Sequence, residues 1–80
     1  MIVTLKYFGL IAEITNKKEE KLQLEQHDFS VAFLKSKIES VYEGLQNASY
    51  AIAVNQSFCH LDSEIKDNDV IAFLPPFAGG

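Results

Sequence analysis

Apolar and polar positions alternate from the start of the chain, with Val3, Leu5 and Tyr7 on one side of an extended segment and Thr4 and Lys6 on the other. A repeat of two is the strand period, so Met1 to Phe8 is predicted as a β-strand. Ile2 and Phe8 fall in register with the polar positions and make that second face partly apolar. Gly9 ends the strand, and Leu10 to Ile14 predicts a short helical turn. Thr15-Asn16-Lys17-Lys18 is a polar turn. Beyond it Leu22 and Leu24 oppose Lys21, Gln23 and Glu25, so Glu19 to Glu25 should return as a strand in a hairpin.

The period then changes. Gln26-His27-Asp28 leads to Ser30, the predicted N-cap of a helix, with Asp28 as the alternative. Val31, Leu34, Ile38, Val41 and Leu45 recur at helical spacing and form one stripe, with Tyr42 at its edge. Lys35, Lys37, Glu39 and Glu43 take the remaining surface, and Gly44 is the expected stop. Tyr50 to Asn55 reads as a buried strand, and Phe58 to Leu61 as a short strand paired with it across Asn55-Gln56-Ser57. Asp62 to Asp69 is a charged connection anchored by Ile65, and Asn68 suits a left-handed turn position. Val70 to Leu74 is the last strand.

Strand, strand, helix, strand, short strand, strand is the order of a mixed sheet folded over one main helix. The strongly apolar first and last strands belong side by side in its middle. That is an α+β, β-grasp (ubiquitin-like) arrangement over residues 1–74, followed by an extended tail, residues 75–80. Eighty residues make one domain. A domain of this size buries only about 60–65% of the surface its unfolded chain exposes, so its core is small.

The net charge of −4 argues against nucleic acid or an anionic membrane as partner, because phosphate binding needs clustered Lys and Arg. No apolar run is long enough to span a bilayer. The apolar opening, interrupted by Lys6 and Glu13, carries no cleavage-like signal, so cytoplasm is the expected compartment. A single cysteine excludes an internal disulfide. Cys59 and His60 are adjacent, but neighbours on a strand point to opposite faces, so they form no direct nucleophile–base pair. Neither His27 nor His60 has a second ligand at metal spacing. The carboxylates Glu19, Glu20, Asp62, Glu64, Asp67 and Asp69 read as a solvated face. No phosphate-binding glycine loop or nucleophile elbow is present.

What is left is the end of the chain, where Pro75-Pro76-Phe77-Ala78-Gly79-Gly80 follows the last strand directly. Prolines cannot donate to a sheet ladder and favour an extended exit. Glycines remove the side chains that would hold a partner's walls away from the terminal carboxylate. A closing Gly-Gly arises by chance in about 0.5% of chains. The pattern suits a terminus that enters a narrow site to be modified there, and since a carboxylate is inert until activated, another protein must supply that chemistry.

Over essentially its whole length the chain resembles the molybdopterin synthase small-subunit family, ubiquitin-like sulfur carriers of molybdenum-cofactor biosynthesis. The specific matches are Ala53-Val54-Asn55-Gln56 and the run from Asp67 to Gly80. Leu5-Lys6-Tyr7-Phe8-Gly9 and Ser30-Val31-Ala32-Phe33-Leu34 agree more loosely. Three positions depart from the family pattern. Phe77 stands for a smaller valine, which calls for a wider channel or an aromatic packed at its mouth. Asn68 stands for the turn glycine, and Ala12 for a frequent arginine whose ion pair would be absent.

The resemblance implies that a ubiquitin-activating-like adenylyltransferase adenylates the Gly80 carboxylate with ATP, and that a sulfur donor converts the product to a thiocarboxylate. The tail then enters the molybdopterin synthase large subunit and delivers sulfur to cyclic pyranopterin monophosphate. Gly80 carries the sulfur and Gly79 permits close approach. Pro75, Pro76, Phe77 and Ala78 form the rest of the inserted tail, and Phe8, Phe58 and Leu74 face the partner. The resemblance also implies no bound cofactor, with ATP consumed by the activating enzyme, and two small subunits on a large-subunit dimer. The alternatives are a carrier of another pathway such as the thiamine type, a ubiquitin-like modifier joined to target lysines, or an interaction domain with an inert tail.

Overall fold

The structure, a computed structural model, describes residues 1–25 and 29–76. Strand β1 (Ile2–Tyr7) leads through a short helix α1 (Leu10–Thr15) to β2 (Glu19–Gln23). The main helix α2 (Val31–Val41) follows, then a 3-10 helix (Glu43–Asn47), β3 (Ala51–Val54), β4 (Ser57–Phe58) and β5 (Val70–Leu74). The five strands form one sheet in the order β2-β1-β5-β3-β4. β1 and β5 are parallel neighbours, and the other pairings are antiparallel. This is the expected mixed β-grasp sheet, with the first and last strands together near its middle.

Alternation decides which side of each strand is buried. Val3, Leu5 and Tyr7 of β1 and Ile71 and Phe73 of β5 turn to the helix side, where Val31, Leu34, Ile38, Leu45 and Ile65 meet them. Phe73 is fully buried and its ring lies 5.5 Å from that of Tyr7 and 5.6 Å from that of Tyr50. Ile65 anchors the charged connection, as its isolation among polar residues indicates.

The main helix begins where Ser30 accepts a hydrogen bond from the Phe33 amide, the side-chain cap expected from the sequence. Asp28, the alternative cap, lies outside the described residues. The end of the helix differs from expectation. Tyr42 leaves helical geometry at φ −117°, ψ 86°, so the helix stops at Val41 and Gly44 belongs to the 3-10 helix. Val41, the last residue of the α-helix, is 62% exposed and outside the buried stripe, while Leu45, carried by the 3-10 helix, is buried. Gly44 is needed for space: a Cβ there would stand 2.9 Å from Ile14 Cγ2. The strands are shorter than the alternation suggested, β2 ending at Gln23 and β4 at Phe58, because pairing stops before the pattern does.

Two carboxylates tie the helix layer to the sheet. Glu20 accepts hydrogen bonds from the Tyr7 and Tyr42 hydroxyls and from Lys17. Glu39 accepts from Lys35 and Tyr50. Burial pushes the Glu20 carboxyl up, but its three donors together outweigh that and hold it below its ordinary value. The donors Lys35 and Tyr50 lower Glu39 in the same way. A carboxyl depressed on folding contributes stability above its unfolded pKa, and that stability is lost as pH falls through the folded pKa. Acid titration of unfolding should therefore show stability declining below the ordinary value of 4.5. The Glu20→Gln, Glu39→Gln double variant should be less stable near neutrality and should decline less between about pH 5 and pH 2. Parallel curves for the two chains would refute this.

Candidate functional site

The second face of the sheet is set by the same alternation. Val70, Ala72 and Leu74 of β5 point away from the helix, and in register with them lie Ala51 and Ala53 of β3 and Thr4 and Lys6 of β1. Small side chains on the central strands leave a floor, and larger ones beside it make walls. The result is a groove of about 280 Å³ with Ala53 and Ala72 at its base, between Phe8 on one side and Phe58 on the other. Leu74 lines it at the end where the tail departs, and Lys6 and Gln56 supply polar edges. Phe8 is 44% and Phe58 62% exposed, a large apolar surface for one face of a small domain.

The specific sequence motifs hold this face in place. Asn55 and Gln56 both take positive φ, 51° and 71°, to make the two-residue turn between β3 and β4 that presents Phe58. The Asn55 side chain bridges that turn to β5, accepting from the Val70 amide at 2.9 Å and donating to Asp69 at 2.8 Å. Asn68, at φ 70°, occupies the expected left-handed turn position, and its amide donates to the Ile2 carbonyl. Asp67 accepts from the Ile2 amide, so the turn before β5 is latched to the start of β1.

Leu74 ends β5, flanked by β1 and β3, so the tail leaves from the interior of the sheet. Pro75 is half-buried and Pro76 is exposed. Phe77, Ala78, Gly79 and Gly80 lie outside the described residues, as does His27. The structure thus brings Phe8, Phe58 and Leu74 to one groove at the root of the tail. Sequence reasoning missed the roles of Ala53, Lys6 and Gln56 there. The period of two was the available signal for Ala53 and for Lys6, which falls on the same side as Phe8, whereas the approach of Gln56 to the groove had no local signal.

Cys59 stands apart from this face. Its thiol donates to the Ile52 carbonyl at 3.4 Å, and burial pushes its pKa up, the opposite of an activated nucleophile. Among the described residues no group of three His, Cys, Asp or Glu side chains could hold a metal ion. No helix among them is long and apolar enough to cross a membrane.

A family model described as the ThiS family matches residues 5–80. The chain belongs to the ThiS family. A molybdopterin synthase sulfur carrier subunit from Haemophilus influenzae is 35% identical over 66 residues, covering 76% of this chain and 80% of that one. Among solved structures, a protein described as molybdopterin converting factor subunit 1 from Pyrococcus furiosus superposes with a TM-score of 0.89 at 26% identity. That match covers 96% of this chain and 99% of the other. A complex of subunits 1 and 2 of the molybdopterin-converting factor from Helicobacter pylori contains a chain 30% identical to this one. Both chains are covered completely in that match, with a TM-score of 0.72. The ubiquitin-like β-grasp topology of this ThiS-family chain is therefore shared along its whole described length.

Proposed function

We infer that this protein is the sulfur carrier subunit of a molybdopterin synthase. The observation that carries the reading is β5: one strand contributes Val70, Ala72 and Leu74 to the apolar groove and runs directly into the Pro75–Gly80 tail. A partner seated on the groove meets the root of the tail at the same time. The similarity to a sulfur carrier subunit and to a chain solved in complex with subunit 2 supports the same conclusion.

In this reading the reacting group is the Gly80 carboxylate. A ubiquitin-activating-like adenylyltransferase joins it to AMP, releasing pyrophosphate from ATP. A sulfur donor then displaces AMP and leaves a thiocarboxylate. The tail enters the large subunit, where the sulfur passes to cyclic pyranopterin monophosphate to build the dithiolene. Gly79 and Gly80 present no side chain to the walls of that site, Ala78 adds only a methyl group, and Pro75, Pro76 and Phe77 keep the approach extended. Phe8, Phe58 and Leu74 cover the large subunit. The chain is the sulfur-donating, non-catalytic part of a sulfurtransferase and binds no cofactor itself. Its setting is cytoplasmic, and the assembly is a heterotetramer.

Intact mass after incubation with the activating enzyme, ATP and a sulfur donor tests this. The expected gain equals replacement of one oxygen by sulfur and is absent from a variant lacking Gly80. An unchanged mass, with an activating enzyme shown to be competent on another carrier, would overturn it. Isopeptide conjugates to other proteins would instead favour a ubiquitin-like modifier, and the fold alone does not separate the two.

A further inference from the structure

We propose that Gly9 is a positioning residue for the tail: its bare α-carbon seats the Pro75 ring and so sets the direction in which the chain leaves the sheet at Pro75. The proposal rests on the sulfur-carrier reading and adds to it a residue remote in sequence from the terminus.

Gly9 has φ 56° and ψ −131°, a backbone conformation that side chains disfavour. A Cβ at this position would stand 3.1 Å from Pro75 Cγ and 3.7 Å from Pro75 Cβ and Cδ. Neither partner can easily give way. The Phe8 amide donates to the Phe73 carbonyl at 3.2 Å, carrying the β1–β5 pairing one residue past its last strand pair. The Gly9 carbonyl accepts from the Ala12 and Glu13 amides at the start of α1. Gly9 is thus held to β5 on one side and to a helix on the other. Pro75 in turn has its φ fixed by its own ring. A shift of that ring passes into the heading of Pro76, which follows it directly. A displacement of about 1 Å at a reacting centre costs about a hundredfold in rate, so sulfur transfer is a sensitive readout of how the chain leaves the sheet.

The test is single-turnover sulfur transfer from thiocarboxylated full-length chain, at saturating large subunit, alongside the dissociation constant for docking. Gly9→Ala and Pro75→Ala should each slow transfer about tenfold. Docking of the Gly9→Ala chain should stay within about threefold, because Gly9 does not line the groove. The double variant should be no slower than either single one, since both changes act on one contact. In the free wild-type chain, nuclear Overhauser contacts between the Gly9 Hα and Pro75 ring protons should be present.

Losses that multiply in the double variant, unchanged transfer in both singles, or a wild-type chain without the Gly9–Pro75 contact would each overturn the proposal. A loss confined to docking would overturn it too, since that is what a merely structural role predicts. Should Gly9→Ala not fold, Pro75→Ala is compared with Pro76→Ala: each removes one ring from the tail, but only that of Pro75 lies against Gly9. A loss confined to Pro75→Ala is then expected, and equal losses would overturn the proposal. A wild-type chain that transfers no sulfur fails the carrier reading itself, an outcome distinct from any variant effect.

Discussion

Phe58→Asp weakens docking on a molybdopterin synthase large subunit by about thirtyfold or more while the free chain stays folded. Aromatic anchors at the centre of an interface carry about 2 kcal/mol or more each, and about 1.4 kcal/mol corresponds to tenfold in affinity. Phe58 forms one wall of the groove whose base is Ala53 and Ala72, and aspartate there would place a charge in an apolar contact. The cost to the free chain is small because Phe58 is 62% exposed and sits on the two-residue edge strand β4. Val41 supplies the control. It is equally exposed but lies at the end of the main helix, and Val41→Asp should leave affinity within about twofold. Titration calorimetry with thermal unfolding of each free variant separates the outcomes. Equal affinities for the folded Phe58→Asp and wild-type chains would remove the groove from the interface.

Phe73→Ala is expected to destabilise the chain by about 3–5 kcal/mol, the range for removing a fully buried phenylalanine. The side chain has no exposed surface and touches the rings of Tyr7 and Tyr50. A domain of this length has about 4–12 kcal/mol of stability in total, so much of it would be lost at once. The functional consequence follows from position: Phe73 holds β5 against the helix layer, and β5 carries both the groove and the tail. Urea unfolding measures the loss. A value below about 1 kcal/mol would mean that the cavity collapses or that the core is less dependent on this ring than its burial indicates.

Much of the site was legible because strand alternation is local. Val70, Ala72 and Leu74 opposite Ile71 and Phe73 follow from a period of two, and both sets lie as the period requires. Ser30 as a cap, Ile65 as an anchor and Asn68 as a left-handed turn residue were legible for the same reason: each depends on its own backbone or its immediate neighbours. Gly44 was misread as the stop because helical periodicity assumes an unbroken helix, and Val41, the last residue before the break, lies outside the buried stripe. The departure of Tyr42 from helical geometry carries no signal in the periodicity, and it places Gly44 in the 3-10 helix against Ile14.

By itself, then, the sequence determined most of the elements, the two faces of each strand, the β-grasp order and the Pro75-Pro76-Phe77-Ala78-Gly79-Gly80 run after the last strand, because all of these rest on short-range patterns of polarity and backbone freedom. Tertiary structure alone decided that Phe8 and Phe58, separated by most of the chain, flank one alanine-floored groove. It also decided that Asn55 braces β5 and that Gly9 lies under Pro75. The physical reason is register: which residue of β1 or β3 stands beside which residue of β5 is fixed by the simultaneous pairing of three strands and the packing of one helix, and no single segment carries that information.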